Sequence, residues 1–551
     1  METQTPKVSV PNHPVSLSLT QFQPALNTAF WADSLPRVYS PDDAEALMRQ
    51  ILHGVRIGRP PADSIVISHN WPSSLEFRSQ VTDIISRDLE AGRLLGPFFD
   101  VPFDACIVSP LGAFPKRNSS AIRLIHDLSY PSVGSVNSLI SSEDFSVSYS
   151  SIDDAVRHCL DCGPGPLYLA KIDLKDAFKH IFIAPQDWPL MGLSWFDPAG
   201  RIQYYFSKVL NFGLRSAPAI FDRFASALER FMLENGAPKT IVRYVDDFLV
   251  VCRSEADCDR ALTTMLSVTR AAGFTVQDSK VTSPSPVVEF LGIVVDTVRG
   301  ELRISESRLV ELKSEVEDWI QVRTLTKRRL LSLIGKCAFA ARVIRHGRPF
   351  LARLFSAAKS ARALHHRVRL GHQALADLRW WSRCIAAHNG ISYFRPDWTG
   401  DVIHIHCDAS GIACGAVCRG EWFYIAYTGN YAPYACESIN WREFQVAVTA
   451  LATWAPMYKG HCIIFHIDNM TVCHVLNGGH STAESLMFFL RHWCHLVETY
   501  NLTVAPVYIN TLENIDADDL SRLRIDAFRA RNLEASPFMT WPNQDFMSHA
   551  Y

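Results

Sequence analysis

The sequence predicts an α+β chain of several domains, and three observations carry that prediction. Its 551 residues divide into three or four units at the usual size of roughly 150 residues each. Apolar residues make up 48% and charged residues 20%, with 31 Phe and 13 Trp; this is enough for several cores and excludes a disordered or fibrous chain. Short apolar runs bounded by turn residues alternate with helix-period segments through residues 100–300, and again after residue 400.

The elements follow in chain order. The first 70 residues, polar and punctuated by proline as far as Arg59-Pro60-Pro61, read as a partly disordered N-terminal arm with one short helix at 44–52. Helical spacing runs through 74–95 and stops at Gly96-Pro97. A strand at 168–173 ends on Asp173 and enters a helix. Residues 241–252 predict a hairpin with Asp246 and Asp247 at its tip, since two β-prone runs flank the acidic pair. Residues 305–385 are helical by period, and Arg395-Pro396-Asp397 through Gly400 marks a boundary. Beyond it come strands at 402–407, 413–418 and 422–427, a helix at 440–454, a strand at 462–467, two helices and a last strand at 502–509.

A net charge of −2 conceals a segregation. Between Arg323 and Arg369 stand thirteen Lys or Arg and no acid, a one-signed stretch that favours a polyanion partner over an ordinary mixed helical face. Apolar runs such as 248–252 and 290–295 are too short to span a bilayer, and the first thirty residues lack a basic start followed by an apolar block. Fourteen cysteines with a single C-x-x-C, Cys159 and Cys162, read as reduced thiols; the expectation is an intracellular protein, cytoplasmic or nuclear, without a membrane partner. Cys407, Cys414 and Cys418 lack zinc-ligand spacing and read as core thiols.

Asp173, Asp246 and Asp247 at the ends of neighbouring strands would repel one another unless a hard cation sat among them, and Mg²⁺ with its oxygen ligands suits that set. Two such ions can activate a primer hydroxyl and stabilise a leaving pyrophosphate. Spacing alone does not make the strands neighbours.

Here the residues resemble a family. Tyr244-Val245-Asp246-Asp247 resembles the signature of reverse transcriptases, and Asp173, 73 positions earlier with Ala177-Phe178 after it, resembles their first palm motif. Asn211-Phe-Gly-Leu-Arg-Ser-Ala-Pro-Ala-Ile-Phe221 resembles the template- and nucleotide-contacting loop and helix, Gly273-Phe274 with Lys280 the fourth palm motif, Phe290-Leu291-Gly292 the primer grip, and Pro115-Lys116 with Arg123-Leu-Ile-His-Asp127 the fingers segment. The resemblance implies Asp173, Asp246 and Asp247 as metal ligands, and Lys116 and Arg123 on the β- and γ-phosphates. It implies Phe178 as the ring that excludes a ribose 2′-OH, with Phe212, Gly213 and Lys280 also in the nucleotide site. Leu291 and Gly292 would contact the primer, and Lys327, Arg328, Arg329, Arg345 and Arg348 the primer–template phosphates. One departure lies at Asn211, where many relatives carry Pro; Phe212 stands where some retroviral relatives have Gln.

After the boundary, Asp408, Glu443, Asp468 and Asp518 fall in the order strand, helix, strand, helix. Each acid alone is more often a helix cap. Together they resemble the ribonuclease H fold, in which four carboxylates hold two Mg²⁺ ions that cleave the RNA strand of a hybrid. Asp516 and Asp519 compete with Asp518, which is preferred because Ala-Asp-x-Leu-Ser-Arg is the family pattern. Tyr508 stands where many relatives have a His. Leu331-Ser-Leu-Ile-Gly335-Lys, Arg345-His-Gly-Arg-Pro-Phe350 and residues 90–98 resemble the DIRS-like and Ngaro-like retrotransposon branch.

The implied architecture is a right-hand polymerase followed by a helical connection and an α/β ribonuclease H-like domain. Its expected limits are an arm at 1–70, fingers and palm at 71–297, a basic thumb and connection at 298–398, the ribonuclease H-like domain at 399–525 and a tail at 526–551. The implied function is RNA- and DNA-directed DNA polymerisation with hybrid-specific RNA cleavage. The implied cofactor is Mg²⁺, two ions per site with Mn²⁺ as substitute, and the partners are an RNA template, a DNA primer, the RNA–DNA hybrid and dNTPs. A pararetroviral polymerase, or a decayed copy that binds nucleic acid without catalysis, are the rivals. No aspartic protease, integrase or recombinase constellation is legible, and oligomeric state is not encoded in these motifs.

Overall fold

Strand Tyr168–Asp173 is buried along most of its length, as an apolar run with water on neither face must be. It sits second in an antiparallel sheet ordered Thr282–Ser285, Tyr168–Asp173, Asp247–Cys252, Ile241–Tyr244. The computed structural model describes residues 25–116, 121–163, 165–388, 390–393 and 401–548, and the chain forms two units, Met1–Val288 and Glu289–Tyr551. In the first, helices Ala217–Glu234 and Glu255–Ala271 pack together, the latter capped by Ser254. A second sheet runs Ile65–Ile67, Cys106–Val108, Gly192–Phe196, Ile202–Ser207, Leu94–Phe98, and a ribbon pairs Leu111–Pro115 with Ile122–His126.

Two expectations for this unit change. Of the arm, residues 1–24 lie outside the described residues. The expected helix at 44–52 is present as Pro41–His53, capped by Ser40 with Pro41 in the first turn, but the stretch before it forms a second helix, Thr28–Val38 capped by Asn27. Trp31 explains the docking. Its ring is fully buried among Phe224, Phe231 and Phe274, and its Nε1 donates to the Ala272 carbonyl at 2.8 Å. Trp31→Ala is therefore expected to cost about 3–5 kcal/mol, read as a lower urea midpoint. The helix expected over 74–95 is instead Pro72–Glu76 and Arg78–Glu90, followed by strand Leu94–Phe98. Gly92, at φ +67°, ends the helix, and pairing with Ile202–Ser207 outweighs the helical spacing of Leu94 and Leu95. Gly96-Pro97 lies in a register shift between Leu95 and Phe98.

The second unit begins within strand Val287–Phe290, so the boundary expected after residue 297 falls one hairpin earlier. That strand joins Ile293–Asp296, Glu301–Ile304 and Ile391–Tyr393 in one sheet. Helices Glu306–Val322, Lys327–Ala340, Ala352–Lys359 and His372–His388 come next, interrupted by a ribbon of Thr324–Thr326 with Arg367–Arg369. Trp380 and Trp381 are buried, as core aromatics. The expected boundary at 395–400 lies outside the described residues.

A five-stranded sheet closes the unit in the order Glu421–Ala426, Ala413–Cys418, Ile403–Ala409, Cys462–Ile467, Thr503–Tyr508. The first three strands are antiparallel and the last three parallel. Helices Ile439–Trp454 and Ile515–Ser521 both pack on it, and a Cβ at Gly415 would stand 2.4 Å from the Leu520 Cβ, so glycine lets the second helix approach. The chain is thus an α+β multidomain protein ending in an α/β domain of ribonuclease H-like topology. Residues after 525 are not a loose tail. Phe528 is fully buried, Ser536 N–H donates to Gly420 O at 2.9 Å and Thr540 N–H to Trp422 O at 2.8 Å, which covers the edge of the sheet. Among the described residues no helix is long and apolar enough to cross a membrane.

Candidate active sites

The hairpin places the first acidic set. Asp247 pairs with Tyr244 across a two-residue turn, Val245-Asp246, and pairs in register with Asp173 on its other side. Val245 has φ +55°, a costly backbone for a β-branched residue, and the turn holds it there beside the acids. The Asp246 carbonyl accepts from Leu174 N–H at 3.0 Å, joining the turn to the strand end that carries Asp173. Burial, then the charges of Asp173 and Asp246, push Asp247 up to about 7. Burial and Asp173 raise Asp246 as well. Lys280 Nζ lies 2.8 Å from Asp173 Oδ2. Burial lowers its pKa, but the bond to Asp173 and the nearby acids outweigh that and raise it. The crowded oxygens, with an ammonium already drawn to Asp173, fit a hard divalent cation.

Of the residues expected at the nucleotide site, Phe178, Phe212 and Gly213 lie together at one loop. Phe178 is 7% exposed, because Phe212 lies across it with ring centroids 4.9 Å apart and Phe221 sits 5.3 Å away. It is therefore not an open wall by itself. Gly213, at φ +101°, passes so close to the His126 carbonyl that a Cβ would sit 2.9 Å from it; its freedom from a side chain serves this contact. Asn211, the departure from the resemblance, donates from Nδ2 to His126 Nδ1 at 3.1 Å. Lys116 and Arg123 are exposed on the ribbon, where Lys116 N–H donates to Ala121 O at 2.8 Å, while residues 117–120 lie outside the described residues.

In the second unit, Leu291 and Gly292 form the turn of the hairpin, at φ +50° and +79°, with Arg308 donating to Gly292 O at 3.2 Å. The basic stretch is less free than the sequence implied. Lys327 Nζ donates to Ala361 O at 2.7 Å, Lys336 pairs with Glu311 and Glu315, and Arg353 pairs with Asp377. These acids come from flanking helices, out of reach of a count along the stretch. Arg328, Arg329 and Arg348 are exposed; the side chain of Arg345 lies outside the described residues. Arg328→Ala with Arg329→Ala should lower the slope of log K against log salt for a primer–template by about 1–2, read by anisotropy titrations at several salt concentrations.

The second acidic set converges. Asp408, Glu443 and Asp468 offer ligand oxygens all within 4.8 Å of one another, the only such group of three among the described residues. Parallel pairing of Ile403–Ala409 with Cys462–Ile467 brings Asp408 and Asp468 to adjacent strand ends, and the helix Ile439–Trp454 supplies Glu443. Ser521 donates to Asp408, Thr511 Oγ1 to Asp468 Oδ2 at 2.9 Å, and Ala409 N–H to Glu443 Oε1 at 3.2 Å. Glu443 Oε2 is buried without a hydrogen-bond partner, as an oxygen reserved for a cation would be. Burial first, then neighbouring acids, push Asp408 up to about 7 and Glu443 well above the carboxylate range. Asp518 bonds Arg522 at 2.7 Å and also Arg524, so its oxygens are taken by guanidiniums rather than joined to the trio, although its charge still raises Asp408. Asp519 is buried on Arg524 and Arg531, and Asp516 pairs with Arg531, so all three candidates for the fourth acid are held by guanidiniums. Sequence reasoning passed over Ser521, Thr511 and Asn514, whose Nδ2 donates to Cys407 O at 2.9 Å; Asn514 and Ser521 flank the last acids in the sequence, with no charge to mark them.

Residues 115–295 match the family model "Reverse transcriptase (RNA-dependent DNA polymerase)". This third of the chain is similar to reverse transcriptases. The chain's similarity extends to the Gag-Pol polyproteins of woolly monkey sarcoma virus and koala retrovirus, each 25% identical over 269 residues. That match covers 48% of this chain but 15% of either polyprotein, so the chain spans a small part of its curated relatives. A solved structure of the foamy viral protease-reverse transcriptase with double-stranded DNA is 15% identical over 90% of this chain and 84% of that one, at a TM-score of 0.49. The reverse transcriptase match encloses Asp173, Asp246, Asp247 and Lys280.

Proposed function

We propose that the chain is an RNA- and DNA-directed DNA polymerase that also cleaves the RNA of an RNA–DNA hybrid, and that it copies the RNA of a mobile element. The observation that carries this reading is the register of Asp247 against Asp173 inside the matched domain, which joins the two acidic motifs at one sheet end. Asp173 and Asp246 would hold the divalent ions, with Asp247 in support. The ions supply activation of the primer hydroxyl and charge neutralisation at the phosphates. Lys116 and Arg123 bring positive charge to the triphosphate, Leu291 and Gly292 contact the primer, and Lys280 neutralises departing pyrophosphate. In the second unit Asp408, Glu443, Asp468 and Asp518 would hold two further ions, and the convergence of the first three supports hybrid cleavage. The motifs around Gly335 and Arg348 favour a DIRS-like or Ngaro-like origin.

The test is extension of a DNA primer on an RNA template with Mg²⁺, beside cleavage of a labelled hybrid. Asp246→Asn should abolish extension and leave cleavage, while Asp468→Asn should do the reverse. An intact chain that binds the primer–template but extends nothing with Mg²⁺ or Mn²⁺ would establish the decayed-copy alternative.

A further inference from the structure

The loop from Asn211 to Arg215 carries Phe212 on its outer side, yet no strand or helix holds it; side chains do. Asn137, 4% exposed, supplies the central clamp. Its Nδ2 donates to Gly213 O at 2.7 Å and to Ser129 Oγ at 2.9 Å, and its Oδ1 accepts from Arg215 N–H at 2.8 Å. Both amide hydrogens and the amide oxygen are thereby used, two of the three bonds on the loop backbone itself. Arg215 in turn donates to Ile140 O at 2.8 Å, tying the loop to the segment just after Asn137.

His126 forms the second clamp. Its Nε2 lies 2.9 Å from Gly192 O, an acceptor, so the ring hydrogen sits on Nε2 and Nδ1 is left to accept from Asn211 Nδ2. Asn211 Oδ1 accepts from Ser207 Oγ at 3.3 Å. The side chain that stands where relatives carry a rigid proline is thus fixed by two hydrogen bonds instead. Between the clamps the backbone has one course, and on it Phe212, 52% exposed, lies against the nearly covered Phe178.

We propose that Asn137 is a positioning residue for sugar selection: by clamping Gly213 and Arg215 it sets Phe212 against Phe178, and the two rings together form the wall that rejects a ribonucleotide. The inference rests on the polymerase reading above and assigns selectivity to a pair of rings and the amide that places one of them. Loss of the amide leaves Gly213 O and Arg215 N–H without their part-buried partner, and the loop is free to shift toward solvent. The wall then loosens without touching the metal ligands, so the binding of the correct nucleotide suffers more than the chemical step.

The experiment uses the full chain, an RNA template and a DNA primer, and measures single additions of dCTP and CTP opposite G. Asn137→Ala should raise KM for dCTP more than it lowers kcat and reduce the dCTP-to-CTP preference about tenfold. Phe212→Ala, an exposed change that leaves the core intact, should reduce the preference by a similar factor. The double variant should be no worse than either, because both act on one wall. Asn211→Pro, which replaces one clamp by a fixed φ, should keep the preference. An unchanged preference in Phe212→Ala overturns the inference even if Asn137→Ala fails to fold, and so do multiplying losses in the double variant. Extension with normal selectivity in Asn137→Ala overturns it while leaving the polymerase reading intact; no extension by the intact chain overturns both.

Discussion

Asp408→Asn should abolish hybrid cleavage, by about 10³-fold or more, equivalent to roughly 4 kcal/mol of transition-state stabilisation, while making the metal-free protein more stable. The two effects have one cause. Burial and the neighbouring acids raise Asp408 to about 7 in the folded chain, whereas the unfolded chain has an ordinary carboxyl. Between about pH 4 and pH 7 the folded state therefore binds the extra proton, and stability falls as pH rises through that window. Above it the wild type holds crowded charges that an amide lacks. Differential scanning calorimetry in EDTA should show a higher Tm for Asp408→Asn at pH 8 and convergence of the two proteins near pH 4. Mg²⁺ should raise the wild-type Tm and move the variant less, since binding to the native state alone stabilises it. A variant that melts lower than wild type at pH 8 in EDTA would show that the trio is not strained by its own charge.

Much of this was legible because the relevant signals are local. The strands at 168–173 and 462–467 and the hairpin at 241–252 read directly from apolar runs, and the acids stand at their ends. Where the reading differed, a distant partner decided. Leu94 and Leu95 keep helical spacing, but the strand Ile202–Ser207, more than a hundred residues away, claims them. Trp31 looks like one aromatic in a polar arm until Phe224, Phe231 and Phe274 surround it. His126 lies inside the fingers motif and Asn137 shortly beyond it, but neither stands out there by charge, and their importance lies in hydrogen bonds to residues 76 to 85 positions away. The same limit affected the basic stretch, whose acids Glu311, Glu315 and Asp377 lie on other helices.

Asp377→Ala should lower the stability of the second unit by about 3–5 kcal/mol. Asp377 is 1% exposed on helix His372–His388 and lies 3.2 Å from Arg353 Nη1 and 3.7 Å from Arg491 Nε. Burial pushes the Asp377 carboxyl up to about 6 and lowers Arg491, and the opposite charges only partly offset this. Removing the acid leaves two guanidiniums facing each other in a buried site, which is worse than never having had the trio. Arg353→Met with Asp377→Leu and Arg491→Leu should therefore recover most of what Asp377→Ala loses, as urea midpoints would show. Because Arg491 belongs to helix Glu484–Thr499 of the ribonuclease H-like domain, the trio also crosses the boundary expected near residue 398. Glu498 of the same helix crosses it too, 3.1 Å from His346 Nδ1 and 3.5 Å from Cys384 Sγ. A piece starting at residue 401 would carry Arg491 and Glu498 without these partners, and should melt well below one starting at residue 289. Equal melting of the two pieces would mean that the connection adds nothing to the domain it precedes.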